Sequence, residues 1–198
     1  MKPMPRLLTE MAHEVVSQVL CEGMTAIDAT SGNGHDTLFL ANCVGSDGTV
    51  IAFDIQQTAI EQTAQRLREH SLTHVHLIHG SHDQLQQTCE QRGNQPVDAI
   101  MFNLGYLPGG DKQLTTTQQT SVNAIQQSLQ VLAEAGVLTV MTYPGHPEGA
   151  VEHEAVKLFL ESLDEGLWSV KMHLPMSQNP QSKGPRLFVI KRCSQVEL

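Results

Sequence analysis

The chain has 198 residues, 40% of them hydrophobic and 17% charged, with a formal net charge of −9. That length suits one domain with a single core; no apolar run approaches the roughly 18 residues of a membrane span; and the acidic balance excludes a broad polyanion-binding surface, because non-specific nucleic-acid binding rests on Lys and Arg. Cys21, Cys43, Cys89 and Cys193 lie far apart with no C-x-x-C pair, which argues against a structural zinc site or a secreted disulfide framework and leaves them as reduced thiols.

The expectation is one domain over residues 1–198, without a cleaved signal and cytoplasmic, since Met1 to Arg6 lead into a helix that carries acids. Leu7, Leu8, Met11, Val15, Val16, Val19 and Leu20 recur at helical spacing with Glu10, His13, Glu14 and Gln18 between them, and Gly23 ends that helix. Ala26-Ile27-Asp28 is a short strand ending in an acid, Ala29 to Gly34 a tight loop, and Leu38-Phe39-Leu40 part of a second helix that ends near Asn42. A turn at Gly45 to Gly48 leads to a strand, Thr49 to Phe53, closed by Asp54. Ala59, Ile60, Ala64 and Leu67 mark a helix, His74 to His79 a strand, and Leu85 a polar helix after Gly80-Ser81-His82-Asp83.

Pro96 opens a fourth strand, Val97 to Phe102, which ends at Asn103 in a Gly/Pro-rich loop. The helix after it carries Val122, Ile125, Leu129 and Leu132 on one face, with Gly136 as its cap. A fifth strand runs from Val137 to Thr142, and a helix after Gly149 uses Val151, Ala155, Leu158, Phe159 and Leu163. Strands alternating with helices at this spacing predict an α/β fold, a mostly parallel sheet covered on both faces. Trp168 to Leu174 and Arg186 to Lys191 have no helical stretch between them and read as an antiparallel hairpin at one edge.

Ligands of such a sheet bind beyond the carboxyl ends of the strands. Those ends are Asp28 with its glycine loop, Asp54-Ile55-Gln56, Ser81-His82-Asp83, Asn103-Leu104-Gly105-Tyr106 and Tyr143-Pro144-Gly145-His146. Gly32 and Gly34 let the backbone approach a ligand, and the amides of the following helix favour a polar or anionic group. A dinucleotide loop would place a third glycine where Thr37 stands. Asp54 follows about 20 residues after the glycines, where a carboxylate accepts bonds from ribose hydroxyls. Ser81 and Asp83 read equally well as helix caps, and His146 reads either as a base or substrate-orienting group or as a loop histidine bonded to backbone. His74 and His76 alternate onto one strand face and His79 onto the other, so with His82 they do not converge, and no metal is expected.

The acid, the Gly-x-Gly loop and Asp54 resemble the first motifs of class I S-adenosylmethionine-dependent methyltransferases, a Rossmann-like fold of seven strands whose sheet ends in an antiparallel hairpin. Asn103 to Tyr106 resembles the Asn/Asp-Pro-Pro-Tyr motif of methyltransferases that act on nitrogen, with Leu104 and Gly105 in place of the prolines. Further runs narrow the resemblance: Asp28-Ala29-Thr30 with Gly32 to Thr37, Asn103 to Lys112, Thr115-Thr116-Thr117, and Tyr143 to Gly149. Over nearly the whole chain these are similar to a small family first described as rRNA methylases and now understood as tRNA 5-aminomethyl-2-thiouridine methyltransferases. Two stretches depart from its pattern: Ser177 to Pro185, where the family carries an Asn-rich run with paired prolines, and Gln118-Gln119, where a proline is expected nearby.

The resemblance implies S-adenosylmethionine held by Asp28, Gly32, Asn33, Gly34, His35, Asp36, Thr37, Asp54, Gln56, Ser81, His82, Asp83 and Asn103. It implies catalysis by Asn103, Tyr106, Tyr143 and His146, with the substrate, the anticodon region of tRNA, met by Tyr106, Gly109, Asp111, Lys112 and His146. The acidic charge leaves such an RNA to a local basic patch or to one completed by the second subunit of a homodimer, and the sequence does not choose between them. Methylation of rRNA or of a small metabolite, and a non-catalytic nucleotide-binding module, are the alternatives.

Overall fold

The structure, a computed structural model, describes residues 7–93, 96–105, 116–175 and 183–193. Its central strands read almost continuously apolar because the sheet is buried there on both faces. In β1 (Thr25–Asp28), β2 (Thr49–Asp54) and β4 (Val97–Asn103), alternate residues point to opposite sides. Ile27, Ile51, Phe53, Ile100 and Phe102 enter one core, and Ala26, Val50, Ala99 and Met101 the other. The first core is covered by α4 (Leu85–Arg92), α5 (Gln118–Val131) and α6 (Pro147–Glu161). The second lies under α1 (Leu8–Ser17) and α2 (His35–Val44), which bring Leu8, Ala12, Val16, Leu40, Ala41 and Val44 to it. Next to α2 packs α3 (Gln57–Glu69), buried through Ala59, Thr63 and Leu67.

With β3 (Val75–His79), β5 (Leu132–Thr142), β6 (Trp168–His173) and β7 (Arg186–Arg192), the sheet order is β3-β2-β1-β4-β5-β7-β6. The first five strands run parallel. Between β5 and β6 lies β7, antiparallel to both, so the expected C-terminal hairpin and the class I methyltransferase order are both present. The strand order reverses between β1 and β4, and the crevice outside their carboxyl ends is where such a sheet accepts a ligand.

One element departs from the sequence reading. The expected helix through Leu132 capped by Gly136 stops at Val131, because Leu132 turns extended (φ −66°, ψ 130°) and pairs with Val97. The ladder resumes at Ala99 with Val137, so residues 133–136 bulge out of register. Gly136 sits inside that strand, where an added Cβ would lie 3.0 Å from the carbonyl oxygens of Ala133 and Asp98. A smaller difference lies in α6, which begins at Pro147, before Gly149, with Pro at the first helical position where its missing N–H costs nothing.

Candidate functional site

The crevice at the strand ends is a cavity of about 770 Å³. Its floor is the loop after β1. Asp28 is fully buried there: its Oδ1 accepts the Thr30 amide at 3.1 Å and its Oδ2 the Thr37 hydroxyl at 2.5 Å, which ties the loop to the first turn of α2. Burial first, then the nearby charge of Asp36, pushes the Asp28 carboxyl up to about 7. The loop turns through Gly32 (φ 51°) and Gly34 (φ 76°), and at Gly34 an added Cβ would meet Thr63 at 2.9 Å. From α3, the Thr63 hydroxyl donates to the Gly32 carbonyl at 3.2 Å and Arg66 Nε to the Asn33 carbonyl at 2.7 Å.

Asp54, at the end of β2, lines the cavity while its carboxylate holds both flanking loops: Oδ2 accepts the Gly32 amide and Oδ1 the Gln56 amide, each at 2.9 Å. Each oxygen keeps further acceptor capacity. Beyond β3, Ser81 and His82 line the next part of the wall. His82 Nδ1 lies 3.1 Å from the Ala29 carbonyl, the ring stands edge-on to Phe102, and burial holds its pKa below the usual histidine range.

At the end of β4, the Asn103 amide donates to the Thr30 hydroxyl at 2.7 Å, joining the first loop to the fourth strand end. The Asn103 side chain is hydrogen-bonded to Tyr143, whose hydroxyl is pushed up by burial and then by the charge of Asp36. From the rim, the Thr116 hydroxyl accepts the Gly105 amide at 3.1 Å.

His146 is the N-cap of α6: its Nδ1 accepts the Gly149 amide at 3.1 Å. Any side chain at Gly149 would collide with this turn, since a Cβ would fall 2.2 Å from the Tyr143 carbonyl oxygen and 2.6 Å from His146 Nε2. Glu148 Oε2 lies 3.3 Å from the same Nδ1. Where Nδ1 accepts the Gly149 amide its lone pair is engaged, which argues for a cap rather than a base. His146→Ala is therefore expected to lose about 1 kcal/mol of stability, and His146→Asn, an equally good cap, very little. Thermal unfolding of the two variants checks it, and equal losses would remove the cap as the explanation.

Of the residues expected to hold a cofactor, Gly32, Asn33, His35, Asp36, Asp54, Gln56, Ser81, His82 and Asn103 line this one cavity, with Tyr143 and His146. Asp28, Gly34, Thr37 and Asp83 do not reach it. The first three build the loop, and Asp83 lies in the 3-10 turn capped by Ser81 (Asp83 amide to Ser81 Oγ, 3.5 Å), which is the helix-cap reading of that pair. Tyr106, Gly109, Asp111 and Lys112 lie outside the described residues, as do positions 177–182 of the divergent loop. His74 and His79 bond to the carbonyls of Ala41 and Ile55, at 3.0 and 3.1 Å, away from each other.

The sequence reading assigned nothing to Thr117, Thr120 and Lys183, which line the cavity, nor to His13. His13 Nε2 lies 2.6 Å from Asp36 Oδ1 and its ring stacks on Phe39 at 3.9 Å. The threonine run was visible as a motif, but nothing in the spacing of His13 sets it apart from other polar residues of α1.

The family described as "Putative rRNA methylase" matches this chain over residues 50–191. A curated relative, the chloroplastic tRNA (mnm(5)s(2)U34)-methyltransferase of Arabidopsis thaliana, is 37% identical over 169 residues, 81% of this chain and 61% of that protein; the chain thus spans less than two thirds of that relative's length. Among solved structures, a "putative rRNA-methylase" of Clostridium thermocellum is 34% identical with a TM-score of 0.89, covering 96% of this chain and 100% of that one. SMU.1697c of Streptococcus mutans, described as a putative methyltransferase in complex with SAH, is also 34% identical, with a TM-score of 0.83 over the same shares.

Proposed function

The chain belongs to the family described as "Putative rRNA methylase", and from that premise we propose that it is an S-adenosylmethionine-dependent methyltransferase, cytoplasmic, that converts 5-aminomethyl-2-thiouridine at the tRNA wobble position to 5-methylaminomethyl-2-thiouridine. The observation that carries this reading is the joining of Asn103, Thr30 and Tyr143 at a cavity that Asp54 also lines. An acceptor for a nitrogen substrate and an acceptor for ribose hydroxyls thereby face one space. The names of the Arabidopsis relative and of the Streptococcus mutans complex agree with the substrate and the cofactor, respectively.

The residues fit the cofactor. Asp54 keeps acceptor capacity for a ribose, the loop from Gly32 to His35 lies where the methionine end would rest, and Ser81 and His82 flank the remaining wall. When bound, S-adenosylmethionine supplies an electrophilic methyl group on a sulfonium. What the chain must do is present a neutral amine in line with it, because an alkylammonium, with an ordinary pKa of about 10.4, has no lone pair to offer. Asn103 can orient that lone pair by accepting an N–H, and Tyr143 holds Asn103. Lys183 at the rim supplies a positive charge near an approaching phosphate backbone.

The test is incubation with tRNA bearing 5-aminomethyl-2-thiouridine and analysis of wobble nucleosides by mass spectrometry. The methylated product is expected, at a single-turnover rate that rises with pH and is indifferent to chelator. If that tRNA is left untouched while rRNA or a small amine is methylated, the substrate is reassigned; if SAH binds and nothing is methylated, the chain is a non-catalytic binding module.

A further inference from the structure

Resting on the reading above, we propose that Asp36 is the anionic partner of the target amine and that His13, from α1, is the residue that positions it. Among the described residues two carboxylates line the cavity, and they differ in what they already hold. Asp54 has both oxygens bonded to loop amides, at the end of β2. Asp36 stands in the first turn of α2, with one oxygen bonded to His13 at 2.6 Å and the other making no described hydrogen bond. Its side chain is 15% exposed, so it faces the cavity from a largely desolvated position.

His13 is itself fixed. Its ring lies parallel to Phe39, at an interplanar angle of 3°, and Phe39 belongs to the same helix as Asp36. Donating through Nε2, the ring holds the Asp36 carboxylate in one rotamer. Tyr143 packs against the same core as Phe39, so Asp36 and the Asn103–Tyr143 pair face the cavity from neighbouring walls, and the charge of Asp36 adds to burial in pushing the Tyr143 hydroxyl up.

The chemistry gives such a carboxylate a specific task. The amine nitrogen forms a C–N bond with its lone pair while the C–S bond breaks and sulfur keeps that electron pair, so positive charge moves from sulfur to nitrogen. A fixed anion beside the nitrogen, accepting one of its N–H groups, is favoured more by the transition state than by the neutral amine. Asn103 then takes a second N–H, and the lone pair is left pointing at the methyl group. Asp36 would touch substrate; His13 acts through Asp36.

The experiment compares Asp36→Asn, His13→Leu, His13→Gln and the double variant Asp36→Asn/His13→Leu. SAH affinity by calorimetry should stay within about threefold of the parent in all four, because neither residue holds the cofactor in this assignment. The kcat for aminomethyl-tRNA should fall roughly 100-fold for Asp36→Asn and about tenfold for His13→Leu. His13→Gln, whose amide can donate from a similar position, should recover most of the loss. The double variant should be no slower than Asp36→Asn alone, since His13 has nothing left to position.

An equilibrium readout is independent of turnover. With SAH bound, the parent should prefer tRNA carrying the aminomethyl group over the same tRNA with plain 2-thiouridine, and Asp36→Asn should lose that preference. A large loss of SAH affinity in Asp36→Asn would assign the carboxylate to the cofactor's amino group and overturn the proposal. Unchanged kcat, or additive losses in the double variant, would do the same. A parent that never methylates aminomethyl-tRNA fails the underlying function instead, and that outcome is separable from all of these.

Discussion

Asp54→Ala is expected to lose at least 100-fold in affinity for SAH. In the parent each carboxylate oxygen already accepts one backbone amide, from Gly32 and Gln56 at 2.9 Å. Both oxygens retain lone pairs for two ribose hydroxyls, and hydrogen bonds to a charged acceptor contribute about 1.5–3 kcal/mol each. Alanine removes both ligand contacts and leaves two loop amides without their acceptor, so the glycine loop also loses its hold on β2. A total near 3 kcal/mol, which corresponds to about two powers of ten, is thus the lower expectation. Asp54→Asn separates the two effects, because its single carbonyl oxygen can serve one amide and one hydroxyl. Calorimetric titration of folded protein decides the matter, and an alanine variant that binds SAH as the parent does would take the ribose away from Asp54.

Asp28 and Asp54 also show where the sequence is informative and where it stops. Each is an acid at the end of an apolar run, and both are expected to hold the cofactor. The structure separates them by direction: Asp28 turns back to Thr37 and Thr30 inside the protein, whereas Asp54 reaches the cavity. The glycine loop and the polar strand ends were legible because each depends on residues close in sequence, whereas the sheet order came only with the family resemblance, since β1 pairs with the distant β4. Leu132 was not, because an apolar residue three places after Leu129 suits a helix face as well as the strand it enters, and its partner Val97 lies far back in the chain. Gly136 looked like a helix cap for the same reason, although a strand that passes close to Asp98 needs a glycine equally. His13 was illegible as part of the site, since its meaning comes from Asp36, 23 residues away, and from the angle at which α1 crosses α2.

The buried Asp28 makes stability depend on pH in the direction opposite to that of an ordinary paired carboxylate. Its carboxyl rises from 3.8 to about 7 on folding, through burial first and then the charge of Asp36, with the bonds from Thr37 and Thr30 acting the other way. Between those two values the folded chain keeps a proton that the unfolded chain gives up. The contribution is therefore fully present below 3.8 and is lost as pH rises through 7. At about 1.4 kcal/mol per pH step, the loss is at most roughly 4 kcal/mol by mildly alkaline pH. His82 and His153, both held low by burial, push stability upward across the usual histidine range, so the raw curve mixes the two trends. Asp28→Asn isolates the first. Its amide oxygen can still accept from Thr30, its NH2 can donate to a rotated Thr37 hydroxyl, and it does not titrate. Urea midpoints of parent and variant should therefore diverge with rising pH, the variant gaining on the parent by about 2.5 kcal/mol between about pH 5 and pH 8.5. A constant difference across that range would mean that Asp28 is already ionised in the fold. A cationic ligand in the neighbouring cavity would also favour the ionised form, so S-adenosylmethionine should bind with release of a proton near neutral pH in the parent and without that release in Asp28→Asn, a difference that calorimetry in buffers of unlike ionisation enthalpy can read.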